Sequence, residues 1–454
     1  MLSPLIICCE SEELYMRFCN NNGLSLKETA HWKRIFNERL IFGSEIEFES
    51  GNRTSSYTIR DEVECTSYEF GNGVDDIDSD GSLRSGAEVK TKPRYIDSFI
   101  QLYSGYKNIV ESLYDYNPLI NTRAGWHNHI SLSSVGGMKA FEKKIPSVIV
   151  KNIITMFKIY YPALRMFSST MPENQYCITR NDRFCLTTGL RRINNDMTLK
   201  ERLDTIEGGT RYNALNCRSI MIDRNNDCTE FHIETRFPDG SLFPFEMASY
   251  QILIKALILK AVELSHYGEL DVDGDYEGKL MFISNDVTDS NYLPNGTCEE
   301  DFDFDYEDNM ADRGAMPLSE ENMNKIKSMG NDLLNLLENE INSIDEKAFE
   351  FIKVLMNKPI YEIFREINTN DPYEVNDYLE EIIDNSYEVK TVSEEAETLS
   401  KFISLNTIKT ATEEEWKNQI GTIVNFSKDI DSILGEINSI REISFKTGVG
   451  YYYV

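Results

Sequence analysis

The chain has 454 residues, 41% of them hydrophobic, with 24 Tyr and 23 Phe; that is enough apolar material for a full core and, by length, for two or three domains, and it excludes wholesale disorder. Its formal net charge of −30 argues against nucleic acid or an anionic membrane as partner, because phosphate binding needs clustered positive charge, although a local basic site stays open. Nine cysteines, an odd number with no C-x-x-C pair, read as the reduced thiols of an intracellular protein rather than a disulfide framework or a zinc site.

Residues 1–40 form a short lead-in with one helix, since Trp32, Ile35, Phe36 and Leu40 fall at helical spacing. The apolar run Leu5–Cys9 is too short for a signal peptide and lacks a basic flank. No uncharged run is long enough to span a bilayer, so the expected location is the cytoplasm. The stretch Ile41–Glu49 alternates as a strand, placing Glu45, Glu47 and Glu49 on one face and Phe42, Ile46 and Phe48 on the other. Carboxylates sharing a face repel, so that face meets either plain solvent or a cation.

Gly51–Phe70 is polar and reads as a hairpin excursion, and Gly71–Gly86 as an acidic, turn-rich loop holding Asp75, Asp76, Asp78 and Asp80. That loop lacks the closing glutamate of an EF-hand, and a solvated loop accounts for most of its acids. Ala87–Lys92 is a strand with Glu88, Lys90 and Lys92 on one face, stopped by Pro93. An amphipathic helix follows over Tyr95–Tyr116, then a strand at Trp126–Leu132 that aligns His127, His129 and Ser131. Pro146–Phe167 is another helix with a core stripe. From Arg165 to Arg236 the chain is rich in arginine (Arg180, Arg183, Arg191, Arg192, Arg211, Arg218), after which only Arg313, Arg365 and Arg441 remain. Guanidinium forks suit phosphate and carboxylate oxygens, though neutralising nearby acids is the blander use.

The strand Glu230–Phe237 aligns Glu230, His232, Glu234 and Arg236, and the apolar helix Phe243–Tyr267 closes the first core, with His266 serving its C-terminal dipole. Residues 268–316 lose periodicity and gain acids, as a linker or lid would. From Pro317 the chain is helical and acidic, over Leu318–Ile344, Ala348–Met356, Asp377–Ile383 and Ala411–Ile440. The expected organisation is therefore a lead-in (1–40), a catalytic domain (41–267), a linker or lid (268–316) and a helical accessory domain (317–454). Four strands with acids, histidines or arginine on one side and an apolar back are what a hard divalent cation and its phosphate ligand require.

The ordered motifs E-I-E (45–47), D-x7-E (80–88), G-W-H-N-H-I-S (125–131) and I-E-T-R-F-P-D (233–239) resemble those of the glutamine synthetase and glutamate–cysteine ligase superfamily, and more narrowly its amidoligase branch. The resemblance covers roughly residues 40–265. It implies an α+β fold, a curved and mainly antiparallel sheet of the glutamine synthetase/guanidino kinase type with helices on its outer face, followed by a C-terminal helical region.

It also implies ATP and Mg2+ or Mn2+ as cofactors. Glu47, Asp80 and Glu88 would hold one ion, and Glu45, His127 and Glu234 the ion bridging the ATP phosphates. Arg236 would meet the transferring γ-phosphate; Arg218, His129 and Asn216 would contact the nucleotide; and Glu88, Glu234 and Arg236 would be the catalytic residues. The implied reaction joins a small-molecule, peptide or protein carboxylate to an amine through an acyl phosphate.

Only about forty residues precede the first motif, Arg123–Ala–Gly125 replaces a glycine-serine-glycine turn, and Asp80 stands where a longer Glu is usual. These differences point away from glutamate plus ammonia, and a peptide, protein or cell-wall-like amine stays open. Two further readings remain: a silent scaffold using the acidic helical tail to bind a protein partner, and a phosphotransferase with a guanidino acceptor.

Overall fold

A computed structural model describes residues 6–8, 15–67, 73–81, 83–120, 124–132, 144–170, 188–209, 211–273, 320–369 and 371–388. Its strands are β1 (Ile6–Cys8), β2 (Tyr15–Arg17), β3 (Leu40–Ser50), β4 (Val74–Asp78), β5 (Ala87–Thr91), β6 (Arg94–Tyr95), β7 (Pro118–Leu119), β8 (Trp126–Leu132), β9 (Leu215–Asn216), β10 (Met221–Ile222), β11 (Cys228–Glu230) and β12 (His232–Thr235). Helices α1 (Leu26–Arg39), α2 (Ser56–Ser67), α3 (Phe99–Leu113), α4 (Ser147–Phe167), α5 (Thr188–Arg192), α6 (Leu199–Glu207) and α7 (Pro244–Leu264) intersperse them. The later helices are α8 (Glu320–Ile344), α9 (Ala348–Asn357), α10 (Ile360–Glu366) and α11 (Pro372–Glu388). Among the described residues helix and antiparallel sheet are mixed, with no closed barrel, as expected of an α+β protein.

The main sheet is eight-stranded and runs β4-β5-β3-β8-β12-β9, with β6 and β7 also pairing with β3. Every pairing in it is antiparallel. The long β3 holds its centre because the apolar alternates Phe42, Ile46 and Phe48 are buried to 1% exposure or less. Trp126 of β8 packs against Tyr106 of α3 and Tyr250 of α7, so α3 and α7 cover the apolar back and leave the acidic face to the other side.

Behind the site, a buried polar cluster pins strands to helices. Ser44 Oγ lies 2.8 Å from Tyr106 Oη, and Gln251 Nε2 of α7 donates to Ser44 Oγ and to Asn128 Oδ1 at 3.1 and 3.0 Å. Lys255 Nζ, also of α7, donates to the Ile96 carbonyl at 2.7 Å. Such bonds specify register, because a slip of one residue would strand these groups in the core. Helix α7 is apolar nearly all round, and α1, α3, α4, α8 and α9 all pack on it. Phe351 of α9 lies 4.5 Å from Phe99 and 5.4 Å from Phe245, ring centre to ring centre.

The chain comprises two compact units, Met1–Leu379 and Glu380–Val454, and the candidate site lies within the first. No described helix is long and apolar enough to cross a membrane.

The structure differs from the sequence reading in three places. Glu230–Phe237 is not one strand: Cys228–Glu230 pairs with β10 in a separate two-stranded sheet, and only His232–Thr235 joins β8, so Glu230 does not align with His232 and Glu234. Gly51–Phe70 contains α2 rather than a hairpin: Ser55 Oγ accepts the Thr58 N–H at 3.3 Å and Ile59 is buried, an N-terminal cap plus one core anchor. Within Gly71–Gly86, Val74–Asp78 is a strand, drawn into the sheet by pairing with β5. Most of the linker (274–316), the helix expected at Ala411–Ile440, and Arg180 and Arg183 lie outside the described residues.

Candidate functional site

Register brings the expected residues together. Glu47 stands opposite Glu88, Glu45 opposite His127, His129 opposite Glu234, and Glu234 opposite Asn216. Five neighbouring strands thus present one continuous polar, mainly acidic row. Glu47, Glu88, His127 and Glu234 are each at most 9% exposed, although carboxylates are seldom buried unless paired. Asp80, just past β4, completes a set with Glu47 and Glu88.

Three overlapping sets have ligand atoms within 4.8 Å of one another: Glu45, Glu88 and His127; Glu45, His129 and Glu234; and Glu47, Asp80 and Glu88. Burial raises the Glu47 carboxyl to about 7, helped by Asp80 and Glu88 and opposed by His127 and the Gly125 N–H. Glu88 is raised too, by burial and by Glu45. Burial would lower His127, but Glu47, Glu45 and Glu234 outweigh it and raise its pKa. Its Nδ1 lies 3.1 Å from Glu45 Oε2, 3.7 Å from Glu47 Oε1 and 3.9 Å from Glu234 Oε1.

The site therefore favours positive charge at its centre, and the oxygen-rich donor set with one imidazole fits a hard divalent cation. Gly125 keeps the centre open: its N–H donates to Glu47 Oε2 at 2.7 Å, and a Cβ there would come within 3.0 Å of His127 Nε2.

Glu45 and Glu234 titrate in the other direction. Burial raises Glu45, yet hydrogen bonds and charge from His127 and His129 hold it far below the usual carboxylate range. Burial likewise raises Glu234, and Arg236, His127, His129 and a hydrogen bond from Asn216 lower it overall. Asn216 Nδ2 donates to Glu234 Oε2 at 2.6 Å, and Arg236 pairs with Glu234 Oε1. Lys90 Nζ bonds Asp78 Oδ2 at 2.6 Å and Glu88 Oε1 at 3.2 Å, shielding Glu88 from one side.

The nucleotide-side residues divide. His129 and Asn216 lie in the row; Arg218 does not join it. Its side chain is exposed, Glu207 is the carboxylate that feels its charge, and its backbone N–H caps Asn216 Oδ1 at 3.1 Å. The arginine-rich stretch includes Arg211, but strand alternation singles out neither it nor Tyr212. The Arg211 and Arg236 guanidiniums lie 5.1 and 5.9 Å from the Tyr212 ring centroid. Alternation could not find them, because both sit on the loop before β9.

Glu49 shares the acidic face by alternation but is already engaged. Its Oε1 accepts the Arg84 N–H at 3.0 Å, and its Oε2 accepts the Ser85 N–H at 2.9 Å and the Ser85 hydroxyl at 3.3 Å. It fastens the segment between Asp80 and Glu88.

No family model and no curated protein matches the chain. Among solved structures it is similar to the complex between the prokaryotic ubiquitin-like protein Pup and its ligase PafA, at 11% identity and a TM-score of 0.32, over 78% of this chain and 70% of that one. It is also similar to a bifunctional glutathione synthetase from Pasteurella multocida, at 10% identity and a TM-score of 0.41, over 79% of this chain and 53% of that one. The chain thus spans about half of that synthetase. At such values neither likeness bears on function.

Proposed function

We propose that this chain is an ATP-dependent carboxylate–amine ligase that requires Mg2+ or Mn2+ and forms an amide or isopeptide bond through an acyl phosphate. In this reading residues 41–267 are the catalytic domain, built on a curved sheet of the glutamine synthetase/guanidino kinase type. The observation that carries the reading is the convergence of Glu45, Glu47, Asp80, Glu88, His127 and Glu234 on one sheet face, with Arg236 at its edge. The ordered motifs that carry these residues add to it.

We assign Glu47, Asp80 and Glu88 to one ion and Glu45, His127 and Glu234 to the other, although the set that joins Glu45 and Glu234 within 4.8 Å is completed by His129, and His127 groups with Glu45 and Glu88. Such ions neutralise a triphosphate and allow a carboxylate oxygen to approach the γ-phosphorus. Arg236 is paired with Glu234, and its remaining N–H groups would serve a phosphoryl oxygen. Asn216 and Arg236 hold Glu234 from two sides, so a Glu234 ligand would need no reorganisation. His129 and Asn216 line the nucleotide side; Arg218, on the exposed segment just past β9, would reach only a distal part of the nucleotide. The acceptor is a small-molecule, peptide or protein amine, and the acidic helical region 317–454 is the proposed point of contact for a protein partner.

The test is phosphate release from ATP by the full chain, with and without magnesium and with hydroxylamine as a surrogate amine, over a panel of carboxylates and peptides. Magnesium-dependent ADP and hydroxamate support the reading. ADP with a phosphorylated guanidine would make the chain a phosphotransferase, and no turnover with any carboxylate would favour the silent scaffold.

A further inference from the structure

Glu47 is held by a buried series of contacts that begins outside the site. Its carboxylate accepts the Gly125 N–H at 2.7 Å, and its own N–H donates to the Gly125 carbonyl at 3.1 Å, so Gly125 grips Glu47 by side chain and backbone together. Gly125 in turn forms an antiparallel bridge with Asp239, in the turn between β12 and α7. The Trp126 N–H donates to the Pro238 carbonyl at 3.4 Å, and the Gly240 N–H to the Ala124 carbonyl at 3.2 Å.

The far side of the 238–240 turn is held by the C-terminal end of α4. Arg165 Nη2 donates to Asp239 Oδ1 at 2.6 Å, and the Thr170 N–H to Asp239 Oδ2 at 3.2 Å. The Asp239 N–H donates to the Ser168 carbonyl at 3.1 Å, and Thr170 Oγ1 to the Gly240 carbonyl at 2.7 Å. Arg165, Ser168, Thr170 and Asp239 are all buried. Charge-assisted bonds of this kind are strong, and breaking a buried pair leaves a charge uncompensated, so the turn has little freedom on this side. The side facing the site is packed close: a Cβ on Gly240 would come 3.0 Å from Ile120 Cγ2, 3.1 Å from the Ala124 carbonyl oxygen and 3.2 Å from Ala124 Cβ.

We infer that Asp239, held by Arg165, is a positioning residue for the ion assigned to Glu47: it fixes the 124–125 turn, and that turn aims the Glu47 carboxylate at the place it shares with Asp80 and Glu88. It acts through Gly125 rather than by contact with the ion. The inference rests on the ligase reading for the ion alone, since the anchoring of Glu47 exists without turnover. Groups that orient a metal ligand from behind change metal affinity by about 10–100-fold when lost.

Ala124–Gly125 is the only Ala–Gly step in the chain, so labelling with 13C-carbonyl alanine and 15N-glycine gives the Gly125 amide a carbonyl-coupled signal of its own. Two variants of the full chain are compared with wild type. Asp239→Asn removes the charge that holds Arg165. Gly240→Ala leaves that pair intact and presses on Ala124; because α4 holds the other side of the turn, the 124–125 segment is the part that yields. In metal-free protein the Gly125 amide is expected to exchange with solvent at least about tenfold faster in both variants, while Gly43 on β3 does not change. Mn2+ titration followed by electron paramagnetic resonance is expected to show one of two sites weakened about tenfold and the other retained. General loss of structure would weaken both.

Should Asp239→Asn fail to fold, Gly240→Ala decides alone. Wild-type exchange at Gly125 in folded Gly240→Ala, equal weakening of both Mn2+ sites, or unchanged Mn2+ binding in a variant whose Gly125 amide has been freed overturns the inference. A wild type that binds no Mn2+ removes the ligase reading, and the Gly125 amide then decides the positioning of Glu47 by itself.

Discussion

Glu47 and Glu88 stand directly opposite each other on adjacent antiparallel strands, both buried. Like charges in that relation are destabilising, and the one backbone hydrogen bond Glu47 accepts, from the Gly125 N–H, could also be accepted by a glutamine oxygen. In metal-free protein at about pH 8, Glu47→Gln is therefore expected to raise stability by roughly 1 kcal/mol. Thermal melts with and without magnesium check this: the wild type should gain stability from the ion, and the variant should start higher and gain less. A variant that is simply less stable under both conditions would mean that the pair is a structural element.

The same pair sets a pH dependence. Burial lifts Glu47 to about 7 in the folded protein, above the ordinary range for a glutamate, so the native state holds a proton that the unfolded chain releases. The stability this contributes is fully present below the unfolded pKa and is lost as pH rises from about 4.5 to about 7, by up to about 3 kcal/mol. Denaturant titrations of metal-free wild type across that window should show the decline, and Glu47→Gln should flatten it. Magnesium binding should release protons over the same range.

Glu49 tests whether the approach to the site is held as firmly as the site itself. Truncation in Glu49→Ala would leave the Arg84 and Ser85 N–H groups without this acceptor, at a cost of about 1–2 kcal/mol. It should also weaken magnesium binding, because Asp80 lies on the segment so fastened. Glu49→Gln keeps one acceptor oxygen and should recover part of both losses. Denaturant melts and magnesium titration read the two effects separately.

Phe351 of α9 packs on Phe99 and Phe245 beneath the sheet. Phe351→Ala should cost about 3–5 kcal/mol and melt α3 and α7 together with α9 in hydrogen exchange. Loss of protection confined to residues 320–366 would instead mark those helices as an independent layer.

Much of the site was legible because strand alternation has a period of two, which aligns Glu45 with Glu47, His127 with His129 and Glu234 with Arg236 wherever the strands fall. Which residues face each other across strands was not legible, since register comes from long-range pairs such as Gln251 with Ser44 and Asn128. Alternation also placed Glu49 with the ligands, and only the backbone of Arg84 and Ser85 shows that it is occupied. Arg211 and Tyr212 had no period to reveal them, and the Ser55 cap of α2 lay in a stretch whose polarity resembled a turn.

The most direct measurement is calorimetric titration of the full chain with ATP, with and without magnesium, on wild type, Glu45→Gln and Glu234→Gln. The account predicts binding that depends on magnesium and weakens at least about tenfold in either variant. Failure of the wild type to bind MgATP, or binding that neither substitution disturbs, would contradict it.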